Sequence, residues 1–549
     1  MSTNRDKAEA FSTQEKLSDE MGKLITRNRA VWILLWSVVY STLALVGFGR
    51  SLWIDEYATI VDSSGSLEAT AQDPGHPPGY FLLLWPLVHL FGDAEWTVRF
   101  PSLVFGVAVI WMTYLLADRV SADHRVSILT VPMLATNPYL VRFGNEARAY
   151  TLLPFLILLT TYLYFIARDQ DQMRPWLTTA ASGVALAYVH YYGVAYLALL
   201  FCYHIVNSAY ARVARGRAMQ LKGILGAYVL IGLAALPLVP IVVDQFGVLA
   251  AAHAGRLIKP QQILFLTSAF FLPASTTGYE LTLEAVAYVA AWSTPFLLLI
   301  LAGFWRTLQA RRTAPLPLDL TMIMAAFVAA NYALHLTGYW FFNIRYVLCL
   351  LPVLIILIAE GLAGLVDLVS SRFMILSVAG SALGRLTHRT WTSRRVSWLA
   401  VFVLGVTLFG LVYAPRILIE ADSSYPYSIA GGAEDNRGAI KYIASYSDTN
   451  MTVLVEPTFG AGVLDYYART YQGRINVTGV SYGASLTSLL ESLILAEGSV
   501  WYVWSYAYTL DPEGQVIQWA SSNGYLYSQT DHGRLVVCLF SVQSNPFHS

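Results

Sequence analysis

Asp55 and Glu56 stand side by side a few residues beyond the first long apolar run, in Trp53-Ile54-Asp55-Glu56-Tyr57. Adjacent carboxylates at the edge of a low-dielectric phase can have raised pKa values and suit general-base work. The alternative is a helix first turn, where acidic residues meet the helix dipole favourably. His76 precedes Pro77-Pro78-Gly79-Tyr80 and is either a turn residue or a contact to phosphate and hydroxyl groups. The stretch Arg142-Phe143-Gly144-Asn145-Glu146-Ala147-Arg148-Ala149-Tyr150 places two arginines and a glutamate within seven residues, at the mouth of a helix. An arginine at such a helix end can simply snorkel to lipid headgroups. Arg148, entering an apolar run, is costly there unless it meets an anion, and a lipid phosphate would serve in fork geometry. Arg345 is the single charge in Trp340-Phe341-Phe342-Asn343-Ile344-Arg345-Tyr346. Its aromatic neighbours form an interfacial belt by default, and its functional reading is again a phosphate partner. Tyr188-Val189-His190-Tyr191-Tyr192-Gly193 closes a further turn that can line a sugar pocket, although interfacial aromatics explain it equally well.

These clusters sit between long apolar runs. Of the 549 residues 56% are hydrophobic and 13% charged, with mean hydropathy +0.51 and net charge zero. Soluble domains carry about 25% charged residues. The composition excludes a disordered chain and a disulfide scaffold, and zero net charge argues against a nucleic-acid partner. Three cysteines, two of them (Cys202 and Cys349) inside apolar runs, build no framework. Runs long enough to span a bilayer begin near Val31, Phe100, Val126, Thr151, Trp176, Val194, Gly223, Glu284, Thr321, Tyr346 and Val396. Pro77–Phe91 is shorter and opens with two prolines.

Charge bias decides whether that short run crosses. With the N-terminus inside and Pro77–Phe91 lying along the outer interface, inside segments hold 22 basic residues and outside segments before residue 415 hold 7. Letting it cross would invert the bias. The expected architecture is therefore a polytopic α-helical membrane protein of about 11 spans in the cell membrane. It comprises a cytoplasmic tail (1–30), a transmembrane module (31–414) with outer loops at 49–99, 142–150, 244–283 and 339–345, and an extracytoplasmic region (415–549). The N-terminal tail lacks the features of a cleaved signal peptide. The long loop between Asp244 and Glu284 contains an amphipathic or re-entrant piece, Gln261–Leu272, suited to a lid. In the last region, strand-like runs (Thr452–Val455, Val500–Trp504, Leu535–Phe540) alternate with helical patterns (Ala433–Ser445, Gly462–Tyr471, Leu486–Ala496, Gly514–Ser522), which predicts a small α/β domain. Transporters gather ionisable residues at the bilayer midplane. Here Glu360 is the clear buried charge within a span, and the other unusual polar residues collect at the outer turns.

The acidic pair after the first span, His76-Pro77-Pro78 before a juxtamembrane helix, and Arg99-Phe100-Pro101-Ser102 opening the second span resemble the GT-C fold of polyprenyl-phosphate-sugar-dependent glycosyltransferases. The superfamily of protein O-mannosyltransferases and lipid A aminoarabinose transferases is the nearest class. Asn145-Glu146-Ala147-Arg148-Ala149-Tyr150 resembles its second outer motif, and Arg345-Tyr346 with Leu350-Leu351-Pro352 its late helix. The likeness covers nearly all of residues 30–415 and does not specify the sugar; the β-trefoil insertion of the protein-mannosylating branch is absent. The resemblance implies an inverting transfer from a polyprenyl- or dolichyl-phosphate sugar to an acceptor hydroxyl on a lipid, glycan or protein. It implies Asp55 as general base and Glu56 shaping the site. Arg148, Arg345 and His76 would hold the donor phosphate, and Glu146, Tyr80, Tyr150 and His190 would bind substrate. Membrane lipid and no nucleic acid are the implied partners. With the phosphate neutralised by arginine the reaction requires no metal and no other cofactor, although related enzymes differ on metals. The rival readings are a transporter or flippase of lipid-linked sugars and a non-catalytic scaffold.

Overall fold

The computed structural model describes residues 28–71, 76–216, 219, 221–244, 270, 283–310, 316–338, 340, 342–379, 434–446, 450–505, 514–533 and 535–542. The helices before residue 380 are apolar along most of their length and pack on one another. They are α1 (Arg29–Leu45), α2 (Ile54–Ser64), α3 (Leu67–Ala71), α4 (Gly79–Phe91), α5 (Glu95–Val120), α6 (His124–Ala135) and α7 (Pro138–Phe143). There follow α8 (Leu152–Gln170), α9 (Met173–Val189), α10 (Tyr191–Arg215), α11 (Lys222–Ala235), α12 (Leu238–Asp244), α13 (Leu283–Ala310), α14 (Leu316–His335) and α15 (Leu350–Ala379).

Among the described residues five helices (α5, α8, α10, α14 and the Leu350–Leu368 part of α15) are long and apolar enough to cross a membrane. There are six if α11 and α12, bent by 64° at their junction, form one span. This is fewer than the eleven read from hydropathy. The run from Val126 shows why: it breaks at Thr136 and Asn137, leaving α6 with 12 residues. At 1.5 Å per residue that is about 18 Å, short of a hydrocarbon core about 30 Å thick. Asn137 ends the run by accepting the Tyr139 and Leu140 amides at 3.0 and 3.4 Å, capping α7. The expected span from Val396, the boundary at 415 and all of the loop piece Gln261–Leu272 except Phe270 lie outside the described residues. The proline-led run forms α4, 13 residues or about 20 Å, likewise too short to cross. Gly79 opens α4 against the Tyr188 backbone: a Cβ there would stand 2.6 Å from the Tyr188 carbonyl oxygen. Glu360 in α15 is paired, accepting from Ser121 Oγ at 2.5 Å and meeting Arg306 at 3.2 Å, as a buried carboxylate requires.

Beyond residue 433 the chain forms α16 (Asn436–Ala444), α17 (Ala461–Ala468), α18 (Ala484–Glu497) and α19 (Gln515–Ser522) around five strands. These are β1 (Met451–Glu456), β2 (Ile475–Gly479), β3 (Ser499–Ser505), β4 (Leu526–His532) and β5 (Leu535–Ser541), in the order β2-β1-β3-β5-β4. β2, β1 and β3 are parallel, and β5 and β4 are antiparallel additions. The alternation of helix and strand thus gives the expected α/β domain. The edge strands β2 and β4 were not among the expected runs: exposed positions alternate with more buried ones, and β4 is polar from Ser528 to His532.

Candidate active site

The site is built where the turn after α1, helix α2, the segment 144–151 and the turn before α15 meet. Asp55 and Glu56 both lie in the first turn of α2. Successive helical residues point about 100° apart, and the two carboxylates have opposite fates. Glu56 is fully buried. Its Oε1 accepts from Arg99 Nε at 2.8 Å and from the Ala147 amide at 2.9 Å, and its Oε2 meets Arg99 Nη2 at 2.7 Å. Arg50 stands 3.6 Å away. Burial pushes the Glu56 carboxyl up, but Arg99, Arg50 and these hydrogen bonds outweigh it and hold it at about 2. The raised value expected for a carboxylate pair is thereby reversed at Glu56. Both its oxygens are hydrogen-bonded, and it is not among the residues that line the cavity described below.

Arg99 is fully buried on α5 and also donates to the carbonyls of Phe48, Arg50 and Ser51 at 2.8, 2.9 and 3.2 Å. It organises the turn that leads into α2. Glu146 continues the same ionic chain, 3.1 Å from Arg142 and 3.7 Å from Arg50. Expected to contact substrate or to hold Arg148, its carboxylate instead pairs with these two arginines and stays buried.

Asp55 turns the other way. Its carboxylate is a third exposed and meets Arg345 Nη1 at 3.5 Å. Arg345 Nη1 also donates to Tyr150 Oη at 2.9 Å, while its buried Nε has no partner among the described residues. Arg148 donates to the Asp55 carbonyl at 3.3 Å, to Thr59 Oγ1 at 3.2 Å and to His76 Nε2 at 2.8 Å. Arg148 and His76 then line a cavity with Tyr80, Tyr150, His190 and Tyr346. His190 accepts the Tyr192 amide on Nδ1 at 3.1 Å, so its neutral ring carries the proton on Nε2. Burial, with His76, Arg148 and Arg345 close by, drives its pKa well below 6.5 and keeps it neutral. Arg148 and two histidines line this cavity, and Arg345, bonded to Tyr150, adjoins it, so cationic and N–H donor groups converge there. The Asp55 carboxylate, a third exposed, lies just outside it.

The sequence profile of the dolichyl-phosphate-mannose-protein mannosyltransferase family matches residues 75–236, under a third of the chain. No curated protein sequence matches it. Solved structures match over nearly its whole length. ArnT from Cupriavidus metallidurans in the apo state superimposes with TM-score 0.54 at 14% identity, covering 93% of this chain and 98% of ArnT. The same enzyme bound to undecaprenyl phosphate gives TM-score 0.51 at 15% identity, covering 94% and 99%. The oligosaccharyltransferase AglB from Archaeoglobus fulgidus, in complex with an inhibitory peptide and a dolichol-phosphate, gives TM-score 0.51 at 13% identity, covering 91% and 73%. The chain has the GT-C fold.

Within this GT-C chain, His76, Tyr80, Arg148, Tyr150 and His190 line one cavity, and Asp55 and Arg345 adjoin it through Arg148 and Tyr150. Glu56 and Glu146 stand behind it in the buried ionic chain. In the sequence Arg99 stands out only as part of the Arg99-Phe100-Pro101-Ser102 motif, and Arg50 belongs to no motif. The usable signal was their position: arginines flanking apolar runs beside an acidic pair need a counter-charge when buried. Tyr346, its ring tilted against His190 with centroids 4.6 Å apart, also lines the cavity and belongs to the Arg345-Tyr346 motif.

Proposed function

We propose that the protein is an inverting glycosyltransferase moving a sugar from a polyprenyl- or dolichyl-phosphate donor to an acceptor hydroxyl at the outer face of the membrane. The observation that carries this is the juxtaposition of two chemistries at the edge of one cavity: a part-exposed carboxylate at Asp55, and a cationic cluster of Arg148, Arg345 and His76 beside it. The fold supports it, since ArnT and AglB with this fold have been captured with undecaprenyl phosphate and dolichol-phosphate.

In this reading the acceptor oxygen attacks the anomeric carbon as the carbon–oxygen bond to phosphate breaks. Asp55 takes the hydroxyl proton, and the lipid phosphate leaves with its charge held by the two arginines. His190, donating from Nε2, and Tyr80 and Tyr150 would orient phosphate and sugar. An apolar cavity that shares Pro77 with the site, lined by Ala187, Tyr191, Val194, Leu238 and Val242, would receive the first part of the lipid chain. The acceptor class, whether lipid, glycan or protein, and the sugar are left to experiment. No metal is assigned.

The test uses reconstituted protein and a panel of radiolabelled polyprenyl-phosphate sugars, supplied with candidate acceptors. Wild type should consume one donor. Asp55→Asn should abolish turnover while leaving donor binding within a few-fold. Full activity in Asp55→Asn removes the base from the mechanism. Movement of intact donor across the bilayer without cleavage supports the flippase reading instead.

A further inference from the structure

The turn that presents Asp55 is gripped from two sides. On the helical side Arg99 holds the carbonyls of Phe48, Arg50 and Ser51. On the other side the grip comes from the α/β domain. Leu52 is fully buried, and both its amide and its carbonyl bond to side chains 415 and 384 residues away. Its amide donates to Tyr467 Oη at 2.7 Å, and its carbonyl accepts from Asn436 Nδ2 at 3.0 Å. Next to it, Ser51 Oγ accepts the Arg437 amide at 3.0 Å, and the Arg437 guanidinium donates to Gly49 O and Arg50 O at 3.2 and 3.3 Å.

Three further contacts fix the same junction. Tyr467 Oη donates to Glu95 at 2.9 Å, Glu95 pairs with Arg437, and Tyr466 Oη donates to the Asp93 carbonyl at 3.2 Å. Gly462 lets α17 lie on Tyr57, two residues beyond Asp55; a Cβ there would stand 2.5 Å from the Tyr57 ring. None of these side chains lines the cavity.

We infer that the α/β domain is a positioning element for the catalytic carboxylate, acting through Asn436, Arg437 and Tyr467 on the backbone of residues 49–52. Leu52 enters α2 two residues before Ile54, so a rotation or slide of this peptide is passed directly to Asp55. A displacement of about 1 Å at a catalytic group can cost on the order of a hundredfold in rate. The domain is thus part of the active site's construction, and the two cannot move independently while these bonds hold. This inference rests on the transferase reading above.

The test compares Tyr467→Phe and Asn436→Ala with Tyr482→Phe. The last removes the same kind of hydroxyl from the same domain, at a bond to Gln515 away from the junction. Two readouts are taken on the full chain in lipid: donor kinetics, and hydrogen exchange of peptides covering residues 49–57. Tyr467→Phe and Asn436→Ala should lower kcat at least about tenfold with donor KM within twofold. Exchange should speed in 49–57 while β1, β3 and β5 stay protected. Tyr482→Phe should change neither. A kcat within twofold of wild type in the Tyr467→Phe/Asn436→Ala double variant overturns the inference, and so does a loss confined to KM. If wild type transfers no sugar, the transferase reading falls and the exchange arm alone decides the clamp: unchanged protection of 49–57 in both variants overturns it.

Discussion

Glu56→Gln tests the buried ionic chain most directly. The carboxyl is moved from 4.5 to about 2 on folding, against the penalty of complete burial. Two and a half units at about 1.4 kcal/mol each correspond to about 3 kcal/mol of stability. Because the folded value is depressed, that contribution is complete above pH 4.5 and is lost as pH falls toward 2. A second route gives the same size. Removing one partner of a buried pair costs about 3–5 kcal/mol, chiefly because the other charge is stranded; Glu56→Gln strands Arg99, which is fully buried. The assay is equilibrium unfolding in mixed micelles of wild type, Glu56→Gln, Arg99→Met and the double variant. At pH 7 each single variant should lose about 3 kcal/mol, and the double should lose clearly less than the sum, since it leaves neither charge stranded. The gap between wild type and Glu56→Gln should close as pH is lowered from 4.5. Strict additivity, or a gap that persists unchanged through this window, refutes the reasoning.

Arg148→Ala and Arg345→Ala should each weaken lipid-phosphate binding about ten- to a hundredfold, the worth of one or two charge-assisted hydrogen bonds; calorimetry with undecaprenyl phosphate measures it, and unchanged affinity makes them anchors only. His190, kept neutral by burial and by His76, Arg148 and Arg345, has a folded pKa well below 6.5. The unfolded chain therefore binds this proton first, and stability falls as pH drops through 6.5. His190→Phe should flatten that limb of the stability–pH curve, and an unchanged limb would count against a neutral His190. Gly79→Ala forces a methyl to within 2.6 Å of the Tyr188 carbonyl. It should shift α4 and with it His76 and Tyr80, lowering kcat/KM at least about tenfold, which steady-state kinetics with the identified donor would show.

Much of the fold was legible in the chain. Long apolar runs mark the helices because backbone groups in lipid must be satisfied within a segment, and the core strands β1, β3 and β5 announce themselves as short β-branched and aromatic runs. The count of spans was less legible, because a hydropathy run does not reveal where a helix breaks. The Val126 run reads as continuous, yet Asn137 and Pro138 divide it. β2 and β4 were missed because a strand at a sheet edge buries one face weakly and offers little apolar signal.

Residue type and position in the chain already mark which side chains are costly to place. Asp55, His76, Arg148 and Arg345 each stand at the end of an apolar run, where an unpaired charge or polar ring needs a partner. Arginines among them suit an anion as that partner, since the guanidinium fork matches carboxylate and phosphate geometry. Which of them pair is set by packing. Asp55 and Arg345 lie 290 positions apart and meet at 3.5 Å, a pairing no local pattern encodes. Adjacent residues on one helix turn, Asp55 and Glu56, are indistinguishable by type and context in the chain. Packing against Arg99 on α5 draws Glu56 into a dry ionic chain, while Asp55 stays part-exposed and pairs with Arg345. The grip of Tyr467 and Asn436 on Leu52 is equally invisible before folding, because it bonds to backbone, whose groups are the same at every position.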